Sequence, residues 1–72
     1  MTPAQCRAAR ALIELSIHAL SGAAVVSALA VWDYEAGVGH LRPADIDAIK
    51  AALERAGVEF IEDGVRLRKG NT

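Results

Sequence analysis

The sequence is poor in the residues from which chemistry is usually built. One cysteine, Cys6, excludes an internal disulfide and any cysteine-based metal cluster, and it fits a reducing, cytoplasmic setting. The two histidines, His18 and His40, stand alone without HExxH or comparable spacing, so neither a metal site nor a cofactor is expected. No nucleophile has a base in step with it and no carboxylates are paired for acid-base work, so the chain is not expected to be an enzyme. Aromatic residues are 4% of a chain that is 53% hydrophobic, which leaves Ala, Leu, Ile and Val to build the core, as in many helical domains. A basic excess is also missing. The formal net charge is −1, whereas a domain that lives on DNA phosphates usually carries a positive face.

What is present is one domain, residues 1–72, with no internal repeat and no low-complexity linker. A core of this size is marginal on its own, and dimerisation would supplement it. Leu15 to Trp32 forms an uncharged run of 18 residues behind Arg7 and Arg10, touching the lower length limit for a membrane span. Ser16, His18, Ser21, Gly22 and Ser27 dilute that run and Glu14 sits at its mouth. Neither a membrane span nor a signal peptide is expected there.

Residues 16–37, SIHALSGAAVVSALAVWDYEAG, read instead as two short helices joined by a tight turn, a helix-turn-helix. Ser16 and Ser27 each precede a run of helix formers and can cap it, and Gly37 ends the second helix. Leu20, Ala24, Val26, Val31 and Tyr34 fall on the inner faces. Before the motif, Thr2-Pro3-Ala4-Gln5 combines a cap, a first-turn proline and a capping-box glutamine. The helix it starts puts Cys6, Ala9, Leu12 and Ile13 inside and Arg7, Arg10 and Glu14 outside, which makes Cys6 a small buried thiol and the two arginines a solvated face. After the motif, Pro43 starts a helix with Asp45 and Asp47 in its first turns, an inner stripe of Ile46, Ile49, Leu53 and Ala56, and Gly57 as a left-handed cap. The tail alternates about Asp63-Gly64, with acidic residues opposite basic ones, as a β-hairpin does. The expected fold is therefore mainly α: helices near 3–14, 17–24, 28–36 and 43–56, then a hairpin spanning 58–69 with strands near 58–62 and 65–69. Gly70, Asn71 and Thr72 should fray.

Leu15-Ser16, Leu20, Ala24, Val26-Ser27, Val31, Asp33-Tyr34-Glu35 and Gly37 match, without a gap, the pattern of Xre-type helix-turn-helix regulators, the phage repressor and Cro superfamily. The likeness continues through MTPAQCRAARALI before the motif and AIKAALERAGVEFI after it, so the chain resembles that family over nearly its whole length. The resemblance implies a phage-repressor-like domain, dimeric, that sets its second motif helix in the major groove of operator DNA. The positions it marks for contact with DNA or a partner are Ile17, His18, Ser27, Ala28, Leu29, Trp32 and Arg42. It also makes Tyr34 a core residue and gives Glu35 a structural pairing, with Arg10 as a candidate partner.

The departures from the family pattern fall where DNA would be touched. Ile17 stands where the family usually has glutamine, and Ala28-Leu29-Ala30 where it tends to have arginine, serine, threonine or asparagine. Val25 occupies a turn position usually given to glycine, so either the turn is rebuilt or the fold absorbs strain. Trp32 lies two residues before Tyr34, roughly 200 degrees around the helix, which turns it outward unless it folds over the loop after Gly37. His18 could meet a phosphate when protonated or be an ordinary exposed residue, and His40 is read the same bland way. Arg42 sits where the family often contacts the backbone. Two functions follow. The first is a small regulator binding operator DNA as a dimer through residues 27–32. The second is a diverged helix-turn-helix that has lost DNA reading and regulates transcription by binding another protein, as an antiactivator or antirepressor.

Overall fold

Thr2, Ser16 and Ser27 each start a helix in the way their positions predict. In the computed structural model, which describes residues 1–39 and 41–68, the Thr2 hydroxyl accepts from the Gln5 N–H while the Gln5 side chain accepts from the Thr2 N–H, a complete capping box. The Ser16 and Ser27 hydroxyls accept from Ala19 and Ala30 at 3.0 and 3.1 Å. The elements are α1 (Pro3–Ile13), α2 (Ile17–Ala24), α3 (Ala28–Glu35), α4 (Pro43–Arg55), β1 (Val58–Ile61) and β2 (Gly64–Leu67). The fold is mainly α, four helices followed by a two-stranded antiparallel hairpin. His40, the expected end of the second strand at Lys69, and the expected fraying of Gly70 to Thr72 lie outside the described residues.

The long uncharged run is cut in two by its own turn. α2 and α3 cross at 115°, the geometry of a helix-turn-helix, and among the described residues no single helix is long and apolar enough to cross a membrane. The turns before and after α2 share one construction. Glu14 closes α1 at φ 54°, ψ 41°, and Val25 closes α2 at φ 57°, ψ 47°, both left-handed. The next residue in each case, Leu15 or Val26, donates to a carbonyl five residues back, Arg10 or Ser21, and tucks its side chain against the core. A serine cap follows. These two are the only non-glycine residues with positive φ among the described ones, so the turn at Val25 keeps the strained backbone rather than being rebuilt.

Cys6 and Ala9 of α1, Leu20 and Ala24 of α2, Val31 of α3, Ile49, Ala52 and Leu53 of α4, and Val58 of β1 make the buried core. The inner stripe of α4 differs from expectation at two places: Ile46 is only half-buried and outside the buried core, and Ala56 ends the helix exposed while Ala52 takes the buried position one turn earlier. Only Asp45 falls in the first turn of that helix. Leu12 lies on the flank of α1, exposed, while Ile13 packs against the core. Tyr34 is half-buried, packed on the core with its hydroxyl donating to the Met1 carbonyl at 2.9 Å.

The hairpin register pairs Val58 with Leu67, Glu59 with Arg66, Phe60 with Val65 and Ile61 with Gly64. The turn residues are thus Glu62-Asp63, with Gly64 already in the strand, one step earlier than the Asp-Gly motif suggests. The expected charge complementarity is present: Arg66 holds Glu59 at 3.0 and 3.1 Å. Gln5 ties this end to the first helix, donating through Nε2 to the carbonyls of Ile61 and Gly64 at 2.9 and 3.1 Å.

Val25 is 90% exposed, so its side chain contributes almost no packing to set against the strain of a β-branched residue in the left-handed region. That strain is about 1–2 kcal/mol, and glycine's extra freedom in the unfolded chain costs about 0.4–1 kcal/mol. Val25→Gly should therefore be neutral or stabilising by up to about 1 kcal/mol in urea unfolding. A loss larger than that would mean the valine is packed.

Candidate functional site

Glu35, the last residue of α3, is 4% exposed, the one buried ionised side chain among the described residues. Its carboxylate is gripped from α1. Arg10 donates Nε to Oε2 and Nη2 to Oε1, each at 2.6 Å, and its remaining Nη1 donates to the Leu15 carbonyl at 3.0 Å. The Cys6 thiol donates to Oε2 at 3.1 Å, and Arg7 donates Nη1 to the Glu35 carbonyl. Burial alone raises the Glu35 pKa, but the hydrogen bonds from Arg10 and Cys6 and the charges of Arg10 and Arg7 outweigh it. The carboxyl is held below its ordinary value.

The same grip silences the cysteine. Burial first, then the hydrogen bond to Glu35 and its charge, push the Cys6 thiol up to about 12, so it is not a nucleophile at neutral pH. The carboxylate beside it disfavours the thiolate and so does not act as an activating base. Arg7 and Arg10 are likewise not the freely solvated face that helical periodicity suggests, because both are turned onto the end of α3.

Fixing α3 in this way sets its other side outward. Trp32 is 63% and Leu29 70% exposed, which excludes the packing of Trp32 over the loop after Gly37. Ile17, at the start of α2, reaches across beneath them. Together with His18 and Ala28 these side chains line an open cavity of about 340 Å³. A second cavity of about 250 Å³ continues past Trp32 and Ile17 to Ala36, Glu35, Arg7 and Arg10.

The structure thus joins five of the seven marked positions and leaves two apart. Ser27 spends its hydroxyl on the Ala30 cap and lines neither cavity. Arg42 is at the start of α4, its guanidinium paired with Asp45 at 3.3 Å in an exposed ion pair. Arg7 was not among the marked positions and belongs to the groove; its anchor is a backbone carbonyl, which no side-chain pattern announces. No group of His, Cys, Asp or Glu among the described residues could hold a metal ion. The stretch between Arg10 and Arg42 contains Glu14, Asp33 and Glu35 and not a single lysine or arginine. No protein-family model matches the chain, and no curated protein matches it.

Arg10→Met should destabilise the fold by about 3 kcal/mol, because it leaves the Glu35 carboxylate buried without its partner. Since the folded pKa of Glu35 lies below its unfolded value, the pairing contributes fully above the ordinary carboxylate range and is lost as pH falls through the folded value. Thermal melts on acidification should show this loss in the parent and not in Arg10→Met, where burial alone raises the Glu35 pKa and protonation of the unpaired carboxyl narrows the gap to the parent. Cys6 should resist Ellman's reagent at about pH 8 until the chain is unfolded.

Proposed function

We propose that this chain is a helix-turn-helix regulator of the Xre kind whose second motif helix has exchanged the reading of DNA for docking on a protein. One observation carries the reading: the outward face of α3 presents Leu29 and Trp32 beside Ile17, in a motif without a lysine or arginine of its own. Phosphate contacts supply most of the affinity of DNA-binding domains and need cations that are free to reach them. Here Arg10 is committed to Glu35 and Arg42 is paired with Asp45, so at the groove a single arginine, Arg7, keeps donors to spare among the described residues. Exposed tryptophan with neighbouring leucine and isoleucine is instead the composition of an interface centre. Acting in a reducing cytoplasm, such a protein would regulate transcription by covering a surface of an activator or repressor.

Binding of operator DNA as a dimer is the second reading, favoured by the 115° crossing and by the exposure of α3 beyond the Ser27 cap. A homodimer would use the hairpin, whose two strands each have an unpaired outer edge.

The deciding experiment is an NMR titration of the full chain with mixed-sequence duplex DNA at low and moderate salt. No shifts in α3 are expected. Salt-sensitive shifts confined to α3 and the start of α2 would overturn the protein-binding reading in favour of DNA. Trp32→Ala and Leu29→Ser should each change folding stability by no more than about 0.5 kcal/mol, as expected of surface residues. Unfolding of either variant would make the residue structural and remove the main support for an interface. For the dimer, deletion of residues 58–72 should lower the sedimentation coefficient of a full chain that sediments as a dimer, and a monomer at high concentration would refute it.

A further inference from the structure

We infer that the groove around Trp32 receives an acidic amphipathic helix from another protein, with its carboxylates at the Arg7 end. This rests on the protein-binding reading and specifies the occupant. Along α3 and its cap, Leu29, Trp32 and Ala36 are exposed and follow one another at spacings of three and four, the alternation by which one helix packs along another. The two cavities share Ile17 and Trp32 and therefore adjoin, a trough that runs along α3 from the start of α2 towards α1. A helix laid in such a trough buries an apolar stripe of its own.

The middle of the trough is apolar, and its far wall holds Arg7 and Arg10. Among the described residues the only acid lining it is Glu35, which is buried and already neutralised by Arg10. Arg7 uses one N–H on the Glu35 carbonyl, and the rest of its exposed guanidinium makes no other hydrogen bond among the described residues. That edge of the groove is therefore positive and has donors to give a carboxylate. Asp33 is on the opposite flank, where its Cβ stands 2.9 Å from the position a Cβ on Gly39 would take, against the loop after α3. A second copy docked face to face with α3 antiparallel would bring the two Asp33 carboxylates onto the same flank, which argues against self-pairing through this stripe.

Trp32 is the only tryptophan in the chain, so its emission reports the groove directly. The probes are two synthetic helical peptides of about four turns, with the same Leu and Phe stripe at three-four spacing and either Glu or Lys at the flanking positions. Titrated into the full chain, the Glu peptide should shift Trp32 emission to the blue and bind at least about tenfold tighter than the Lys peptide at low salt, with the gap narrowing as salt is raised. Leu29→Ser should abolish the response to both peptides. Arg7→Gln, checked for an unchanged melting curve, should bring the Glu peptide's affinity down to that of the Lys peptide, while Arg42→Gln should leave the preference intact. Equal or tighter binding of the Lys peptide, or a preference that survives Arg7→Gln, overturns the acidic occupant and leaves the protein-binding reading standing. Emission that moves with protein concentration alone overturns it in favour of a second copy. If neither peptide moves the emission the helical occupant is wrong, and if duplex DNA then shifts α3 the protein-binding reading falls with it.

Discussion

A single buried carboxylate sets the geometry on which the rest of this molecule depends. Glu35 ends α3 inside the protein, and a charge there is tolerable only because Arg10 binds it with two nitrogens while Cys6 supplies a third donor. Two helices far apart in sequence are thereby locked at one distance and one rotation. Apolar contacts between α1 and α3 could hold them together, but Leu, Val and Ala tolerate a slide or a small turn about the helix axis, whereas a bidentate arginine does not. That rotation is what turns Leu29 and Trp32 to solvent. The surface chemistry of α3 is thus a consequence of an interaction on its opposite side, and the same interaction withdraws Arg10, a cation that a DNA-binding domain would want at its surface.

The two turns flanking α2 act on the same geometry from the backbone. Each consists of a left-handed residue, an apolar residue pinned to the core and a serine cap, and each allows the chain to change direction in three residues. Glu14 and Val25 carry the left-handed conformation at a cost glycine would avoid. The cost is offset because the bonds from Leu15 and Val26 to the preceding helix satisfy end carbonyls, and because both side chains are buried in part. Val25 itself is left standing in water at the corner of the motif. A residue poorly suited to its backbone and useless to the core adds apolar surface there.

The helix boundaries were legible in the sequence because they are set by local chemistry: Thr2 with Gln5, Ser16, Ser27 and Pro43 act within one turn of themselves. The helix-turn-helix and the pairing of Glu35 with Arg10 were legible from the family pattern, since both depend on side chains at fixed positions. What escaped was set by partners distant in sequence. Arg7 binds a carbonyl, which every residue has, so nothing in its neighbourhood distinguishes it from a solvated arginine. Glu14 gives no sign of a left-handed backbone, which is imposed by the need to drop Leu15 into the core. The hairpin turn slipped by one residue because Gln5, from the far end of the chain, bonds the carbonyls of Ile61 and Gly64 on either side of it and favours the pairing that presents both.

The fold of this short helix and the surface it offers are carried by different residues. Val31, Tyr34 and Glu35 face inward and answer to Cys6, Arg10 and the core; Ala28, Leu29 and Trp32 face outward and answer to nothing inside the protein. A change among the outward residues alters affinity and leaves stability almost untouched, whereas a change among the inward ones alters the angle at which the whole face is offered. An apolar, outward face on a rigid support is an uncomfortable surface for a protein alone in water, because it favours non-specific association. In the proposed reading an occupant covers that face and engages the remaining donors of Arg7 beside it.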